Sequence, residues 1–311
     1  MSHIYEALQR AEAERKSATH QEVSTIDPRN SKDGFKGAFE ASAELSEGAI
    51  VIAEKAPANA ADASFLMDVC RRPWNPSFER LPGLQKSGAG VEQFRSLRSR
   101  LQEFRDLKSL KSLLVSSGMP QEGKSFIAAN LALNLARHKN SKVLLVDADM
   151  RCSSLHQYLG CDYNPGLADY LSGKASIQEV MQYAEEVKDR DPIISAVFNN
   201  LAFIPGGEGG ERAADLSGSK RFDELLATAA PYFDWIVVDS PPVLLVSDAV
   251  NLARCCDAVL LVARAGVTTF PVAQRAQYEL KASNIIGFVL NAVDKPAITE
   301  SYYYRYDSKT E

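Results

Sequence analysis

Six short apolar runs, at 112–116, 142–146, 201–205, 235–238, 258–263 and 285–289, are rich in Val, Leu and Ile, and none alternates apolar with polar residues. Strands with one wet face alternate, whereas strands covered on both faces do not. Between the runs lie segments of helical periodicity at 91–105, 124–138, 176–188, 220–230, 247–254 and 271–282. Strands and helices taking turns at this spacing predict an α/β fold, a doubly wound and mainly parallel sheet with helices on both faces. No internal repeat of about 20 to 50 residues is present, which sets solenoids and propellers aside.

The first run leads into chemistry. LLVSS is followed by Gly118-Met119-Pro120-Gln121-Glu122-Gly123-Lys124-Ser125, and Phe126 then opens the helical FIAANLALNLARH. GxxxxGK[ST] between a strand and a helix is the pattern of a phosphate-binding P-loop. Its glycines let backbone N–H groups turn inward around phosphate oxygens, and the helix N-terminus adds unpaired donors and a favourable dipole. Lys124 is placed to reach the β and γ phosphates, and the Ser125 hydroxyl to ligate Mg2+. Two further strands end in acids, KVLLV in Asp147-Ala148-Asp149-Met150-Arg151 and WIVV in Asp239-Ser240-Pro241-Pro242. The carboxyl ends of parallel strands share one edge, so Asp147, Asp149 and Asp239 are expected to converge on the loop. Taken singly, such an Asp is commonly a helix cap. Three beside a phosphate loop suit Mg2+, which takes oxygen ligands and keeps its waters.

Length alone, 311 residues, suggests two domains at about 150 residues each. The motifs point instead to one P-loop ATPase or kinase domain, 91–298, between two ends. At 1–16, Ile4, Leu8 and Ala11 recur at helical spacing, reading as a short amphipathic helix suited either to its own core or to a partner. The stretch 17–90 is rich in Ala, Ser, Glu, Lys, Gly and Pro with isolated apolar clusters, and reads as a disordered, flexible linker. The tail, 299–311, is polar and flexible yet holds Tyr302, Tyr303, Tyr304 and Tyr306, which fits a sticky edge or a stacking platform as well as a modified segment.

The formal charge of −5 argues against a protein that coats nucleic acid, and no nucleic-acid partner is expected. Cys70, Cys152, Cys161, Cys255 and Cys256 lack CxxC spacing, so neither a disulfide framework nor a zinc site is implied, and reduced cytosolic thiols fit. No apolar run approaches the roughly 20 residues that span a bilayer. The expected location is cytoplasmic, with any membrane association peripheral at the inner face through a partner or a surface helix.

VSSGMPQEGKS, LLVDADMR, WIVVDSPPVLLVSDA and the terminal SYYYRY, in that order over roughly residues 90 to 306, resemble the bacterial tyrosine kinases (the BY-kinase group) that regulate capsule and exopolysaccharide export. Chromosome-partitioning and division-site ATPases share the P-loop form but carry a second lysine directly after the first loop glycine. Here that place is Met119, followed by Pro120. The resemblance implies ATP and Mg2+ as cofactors, with Gly118 to Ser125 and Phe126 around the nucleotide. It implies Lys124, Asp147 and Asp149 as catalytic residues, Asp147 orienting or deprotonating the acceptor tyrosine, and Ser125, Asp149 and Asp239 as metal ligands. Arg151 matches the arginine after these acids. Asn291 occupies the family's adenine-reading position, although an Asn that turns the chain after a strand reads the same way.

Glu92, Arg95 and Arg98 match the ExxRxxR motif that joins relatives into a ring, and solvated i,i+3 pairs give the same pattern. The resemblance makes Tyr302, Tyr303, Tyr304 and Tyr306 the phospho-acceptors, inserted into a neighbouring copy of a homo-oligomer. It implies a separate membrane polysaccharide co-polymerase as activator. Gln121, where relatives carry glycine, and the loose segment 206–222 depart from the pattern. The competing function is a nucleotide-dependent assembly switch that hydrolyses ATP and uses the tyrosines only as contacts.

Overall fold

The computed structural model describes residues 65–293 apart from 67, 139, 140 and 189. The helix expected at 1–16, most of the linker and the tyrosine tail lie outside the described residues. In chain order the elements are β1 (Cys70–Arg72), α1 (Ala89–Leu107), β2 (Ser112–Ser117), α2 (Lys124–Ala136), β3 (Val143–Asp147), α3 (Leu155–Leu159), α4 (Leu167–Leu171), α5 (Ile177–Val180) and β4 (Gln182–Ala184). There follow α6 (Pro192–Asn200), β5 (Leu201–Ile204), α7 (Ala213–Ser217), α8 (Lys220–Ala229), β6 (Trp235–Asp239), α9 (Asp248–Cys255), β7 (Ala258–Arg264), α10 (Phe270–Glu279) and β8 (Ile285–Asn291). No helix among the described residues is long and apolar enough to cross a membrane.

The strands form one sheet in the order β1-β4-β5-β3-β6-β2-β7-β8. Every pairing is parallel except β4 with β5. The six apolar runs are all strands, and the reason for their lack of alternation is visible in the cores. Leu114, Leu144, Val146, Ile236 and Val238 pack into one cluster, and their neighbours Leu113, Val115, Val143, Leu145, Trp235 and Val237 into another. Successive side chains point to opposite faces, so a sheet covered on both sides needs apolar residues at every position. Helix α2 is apolar almost all round and buries eleven of its thirteen residues, which places it in the core directly behind the loop that precedes it.

Two expectations change. The single helix expected at 176–188 is instead the short α5, opened by a Ser176–Glu179 capping box, followed by strand β4. Met181 and Tyr183 pack into one core cluster, while Ala184 packs into the other and Gln182 is buried between Trp74 and Asp162. That period of two is too short to outweigh the helical signal of the residues before it. The expected linker also gives up its C-terminal end to the fold. Val69, Trp74, Leu81 and Leu84 are buried, and β1 pairs with β4. The Trp74 ring meets Phe198 and Phe203 edge-on, and its Nε1 donates to Gln182 Oε1 at 3.1 Å. Asn130, inside α2, accepts from the Gly83 N–H at 2.8 Å and donates to the Arg80 carbonyl at 3.2 Å. These anchors are spread among polar residues, so composition hides them.

Candidate active site

The segment between β2 and α2 crosses the carboxyl edge of the sheet. Gly123, the residue before α2, has φ 97° and ψ 21°. A Cβ there would lie 2.0 Å from Asn291 Nδ2, so both its conformation and its surroundings demand glycine. Gln121 is also left-handed, with φ 63°. Its backbone is held there by neighbours: Arg264 Nη1 donates to its carbonyl at 3.3 Å. Buried Glu122 accepts the Met119 N–H at 2.8 Å and the Thr268 hydroxyl. Its carboxylate thus staples the loop to the β7–α10 connection. The cost of the left-handed glutamine, on the order of 1 kcal/mol, has a testable consequence. Gln121→Gly is expected to be nearly neutral in urea unfolding, since relieved strain is offset by a freer unfolded chain. Gln121→Val, β-branched at positive φ, is expected to lose about 1–2 kcal/mol.

Asp147 and Asp239 are direct partners in the β3–β6 ladder, and both are fully buried. Asp147 Oδ2 accepts from Ser153 Oγ at 2.8 Å, Ser154 N at 3.0 Å and Leu155 N at 3.1 Å. Burial pushes its carboxyl up to about 6, against the pull of the Ser153 and Leu155 hydrogen bonds. Burial pushes Asp239 up to about 8, with Lys124 opposing and the like charge of Asp147 adding. Among the described residues neither Asp239 oxygen completes a hydrogen bond, although the Ser125 hydroxyl lies near enough to ease its charge. Asp149 is committed on both sides, to the Cys152 N–H at 3.0 Å and to Lys124 Nζ at 3.1 Å. Burial works to lower the Lys124 pKa, and attraction to Asp239 and then Asp149 outweighs it, so the net shift is upward.

Buried carboxyl oxygens that complete no hydrogen bond call for an explanation, and Asp239 beside the Ser125 hydroxyl fits a hard cation with oxygen ligands. Among the described residues no three His, Cys, Asp or Glu side chains are arranged to hold a metal by themselves.

The other expected residues fall into place unevenly. Asn291, at the end of β8, donates from Nδ2 to the Glu122 carbonyl at 3.0 Å, so one of its amide hydrogens is spent on the loop. Arg151 pairs with Asp248 through Nε at 2.9 Å and Nη2 at 3.4 Å. Asp248 was missed by sequence reasoning because Ser-Asp at a helix start reads as a cap. Ser153 and Thr268 were missed as support for Asp147 and the loop, since nothing in their local pattern singles them out, and Glu122, expected around the nucleotide, proves to brace the loop. Glu92 and Arg95 pair with each other at 2.6 Å on the exposed side of α1, whereas Arg98 turns inward to the Asn134 carbonyl at 3.1 Å. Tyr302, Tyr303, Tyr304 and Tyr306 lie outside the described residues.

A family model described as an AAA domain matches residues 121–270. The chain is similar to the tyrosine-protein kinase Wzc of Salmonella typhimurium, with 31% identity over 227 residues that cover 71% of this chain and 30% of Wzc. It is similar to the tyrosine-protein kinase YwqD of Bacillus subtilis, with 31% identity over 215 residues covering 68% of this chain and 85% of YwqD. Among solved structures it resembles the kinase domain of the Escherichia coli tyrosine kinase ETK, with a TM-score of 0.63 and 29% identity, covering 73% of this chain and 84% of that one. The chain spans less than a third of Wzc and of several other curated relatives. The P-loop at the carboxyl edge, the acids beside it and these likenesses agree, and the chain belongs to the bacterial tyrosine-protein kinase family.

Proposed function

We propose that the chain is an ATP-dependent protein tyrosine kinase that phosphorylates its own cluster Tyr302, Tyr303, Tyr304 and Tyr306 in trans within a homo-oligomer. The observation that carries this reading is the cross-strand pair Asp147–Asp239 at the edge where Lys124 meets Asp149. Residues 118–126 surround the phosphates, with backbone N–H groups other than that of Met119, which is held by Glu122, and none from Pro120, and Lys124 spreads the charge of the transferring group. The acceptor Oη forms a bond to the γ-phosphorus as the bond to the β–γ bridging oxygen breaks, and ADP leaves. The phenol, with a pKa of about 10, gives its proton to the Asp147 carboxylate, which is ionised at pH 7 with a value raised to about 6. Mg2+, held by Ser125, Asp239 and Asp149, supplies charge neutralisation at the phosphates when bound. Asn291 reads adenine with the part of its amide not spent on Glu122.

In this reading Glu92, Arg95 and Arg98 contact a neighbouring copy, which fits a ring. A membrane polysaccharide co-polymerase is the activator, bringing a cytoplasmic enzyme to the inner face of the membrane, and the output is control of exopolysaccharide polymerisation and export. In this reading the kinase domain covers 91–298 together with the buried segment that begins at Val69.

The test is incubation of the purified chain with Mg-ATP, and with the membrane partner, followed by mass spectrometry of the tail. Phosphate on residues 302–306 is expected. ATP hydrolysis with an unmodified tail would favour the assembly switch. Mg-ADP at about 100 times its Kd is expected to stabilise the fold by about 2.7 kcal/mol, and Asp239→Ala, which removes the buried carboxyl beside Ser125, to remove the Mg2+-dependent part of that gain.

A further inference from the structure

The two edges of the sheet are finished differently. β1 is three residues long and two of them are arginines, a short and charged edge of the kind that resists pairing with a further strand. β8, at the other end of the strand order, runs for seven residues as IIGFVLN, without charge or proline. Among the described residues it pairs with β7 alone, and of its side chains Val289 is buried and the rest are half-buried. The Asn291 carbonyl accepts the N–H of Ala265, just past β7, at 2.9 Å. Backbone polar groups alternate in direction along a strand. Val289 and Asn291 therefore turn theirs toward β7, and Phe288 and Leu290 turn their N–H and C=O groups outward. The register shift opposite Val259 and Leu260 makes Ile286 an extra residue, so the regular part of this open edge is 287–291.

The described chain ends at Val293, two residues past this strand, and the sequence beyond it suits a return along the edge. Ala292 has φ 54°, a left-handed conformation of the kind that turns use. Asp294, Lys295 and Pro296 follow, and then Ala297, Ile298, Thr299, Glu300 and Ser301 before the tyrosines. Ile, Thr and Tyr favour extended backbone. A connection of five residues, 292–296, is within the usual length for a hairpin. It sets 297–301 antiparallel to 287–291, with Thr299 opposite Val289. Ile298 and Glu300 then stand opposite Leu290 and Phe288, the residues whose polar groups are open, and residues so opposed exchange both of their N–H···O bonds. Tyr302 and Tyr303 come next, beside half-buried Ile286 and Ile285, a pairing of aromatic with β-branched side chains.

We propose that segment 297–301 of this chain docks on the open edge of β8 as a ninth strand and so holds the tyrosine cluster against its own subunit. The holding role rests on the kinase reading, since it delays delivery of the acceptors to a neighbouring copy. The strand itself is measurable without phosphate transfer.

The experiment is amide hydrogen exchange of the full chain without nucleotide, followed residue by residue by NMR. The Phe288 and Leu290 amides are expected to exchange slowly, as paired groups do. Ile298→Pro and Glu300→Pro, each of which removes one donor from the ladder, should speed exchange at those two amides by about tenfold. Lys309→Pro, past the segment, should leave them as they are. Fast exchange in the native chain, or protection that survives both prolines, overturns the ninth strand. Protection that grows with protein concentration assigns the edge to a second copy and overturns it too. With Mg-ATP added, the variants at 298 and 300 should label residues 302–306 several-fold faster than the native chain, and labelling no faster than native overturns the holding role. Protection that the prolines abolish, in chains that never label their tails, would refute the kinase reading alone. Labelling of a chain whose β8 amides are unprotected would refute the ninth strand alone.

Discussion

Lys124→Met is expected to lower tail phosphorylation by about 10^3-fold, in the range found for removing one preorganised charge-stabilising donor. It also leaves Asp147, Asp149 and Asp239 facing one another without the ammonium that meets Asp149 at 3.1 Å. The carboxyls then hold protons more tightly, and the sign of the pH effect follows. A carboxyl with a folded value of about 8, as for Asp239, against about 3.9 unfolded, favours folding most below the unfolded value. That contribution is lost as pH rises through the window up to about 8. Without Mg2+, both the native chain and the methionine variant should therefore lose stability from pH 4 to pH 8, the variant more steeply, and Asp239→Asn should flatten the slope. Urea midpoints across that window, beside a phosphotyrosine assay, check both halves. A methionine variant that still labels its tail at the native rate would remove Lys124 from the chemistry.

Trp74→Ala is expected to cost about 3–5 kcal/mol, the usual penalty for emptying a large aromatic site. Total stability of a domain is about 5–15 kcal/mol, so the loss is severe. Trp74 is 5% exposed and bridges β4, α6 and β5 through Gln182, Phe198 and Phe203. Trp74→Phe keeps most of the ring contact and strands the Gln182 carbonyl, which should cost about 1–3 kcal/mol. Urea denaturation ranks the pair. If alanine at 74 leaves the midpoint in place, the segment before α1 is not part of the cooperative core.

What was readable beforehand divides along the range of the physics. The inner strands β2, β3, β5, β6 and β7 were legible because burial on both faces imposes a composition that needs no context, and the edge strand β8 shares their apolar run although only Val289 in it is buried. The phosphate loop was legible because its glycines, lysine and serine sit at fixed offsets between a strand and a helix. β4 was not, because four residues of period-two burial are outvoted by the helical signal of Ile177 to Val180. Trp74, Leu81 and Leu84 were lost in a polar stretch, since their partners lie from about 50 to 130 residues away along the chain. In the site, the expected convergence of Asp147 and Asp239 is seen as a ladder pair. Of the expected trio Glu92, Arg95 and Arg98, the first two pair with each other and Arg98 donates to the Asn134 carbonyl, contacts that the spacing alone does not specify.

The strand order has a consequence for synthesis. Strand β2, which carries the phosphate loop, is flanked by β6 and β7, both made more than a hundred residues later. Until β6 emerges both edges of β2 are open, one of them stays open until β7 is complete at residue 264, and the mostly apolar surface of α2 meanwhile lacks part of its cover. Contacts of such long sequence separation form slowly, and a partial chain of this kind is prone to associate through its open edges. The nucleotide site is therefore a late product of folding. Chains stopped before β6 should hold the loop motif but bind no nucleotide, so arrested nascent chains of stepped length, probed with a fluorescent ATP analogue, should gain binding only once β6 and β7 have emerged.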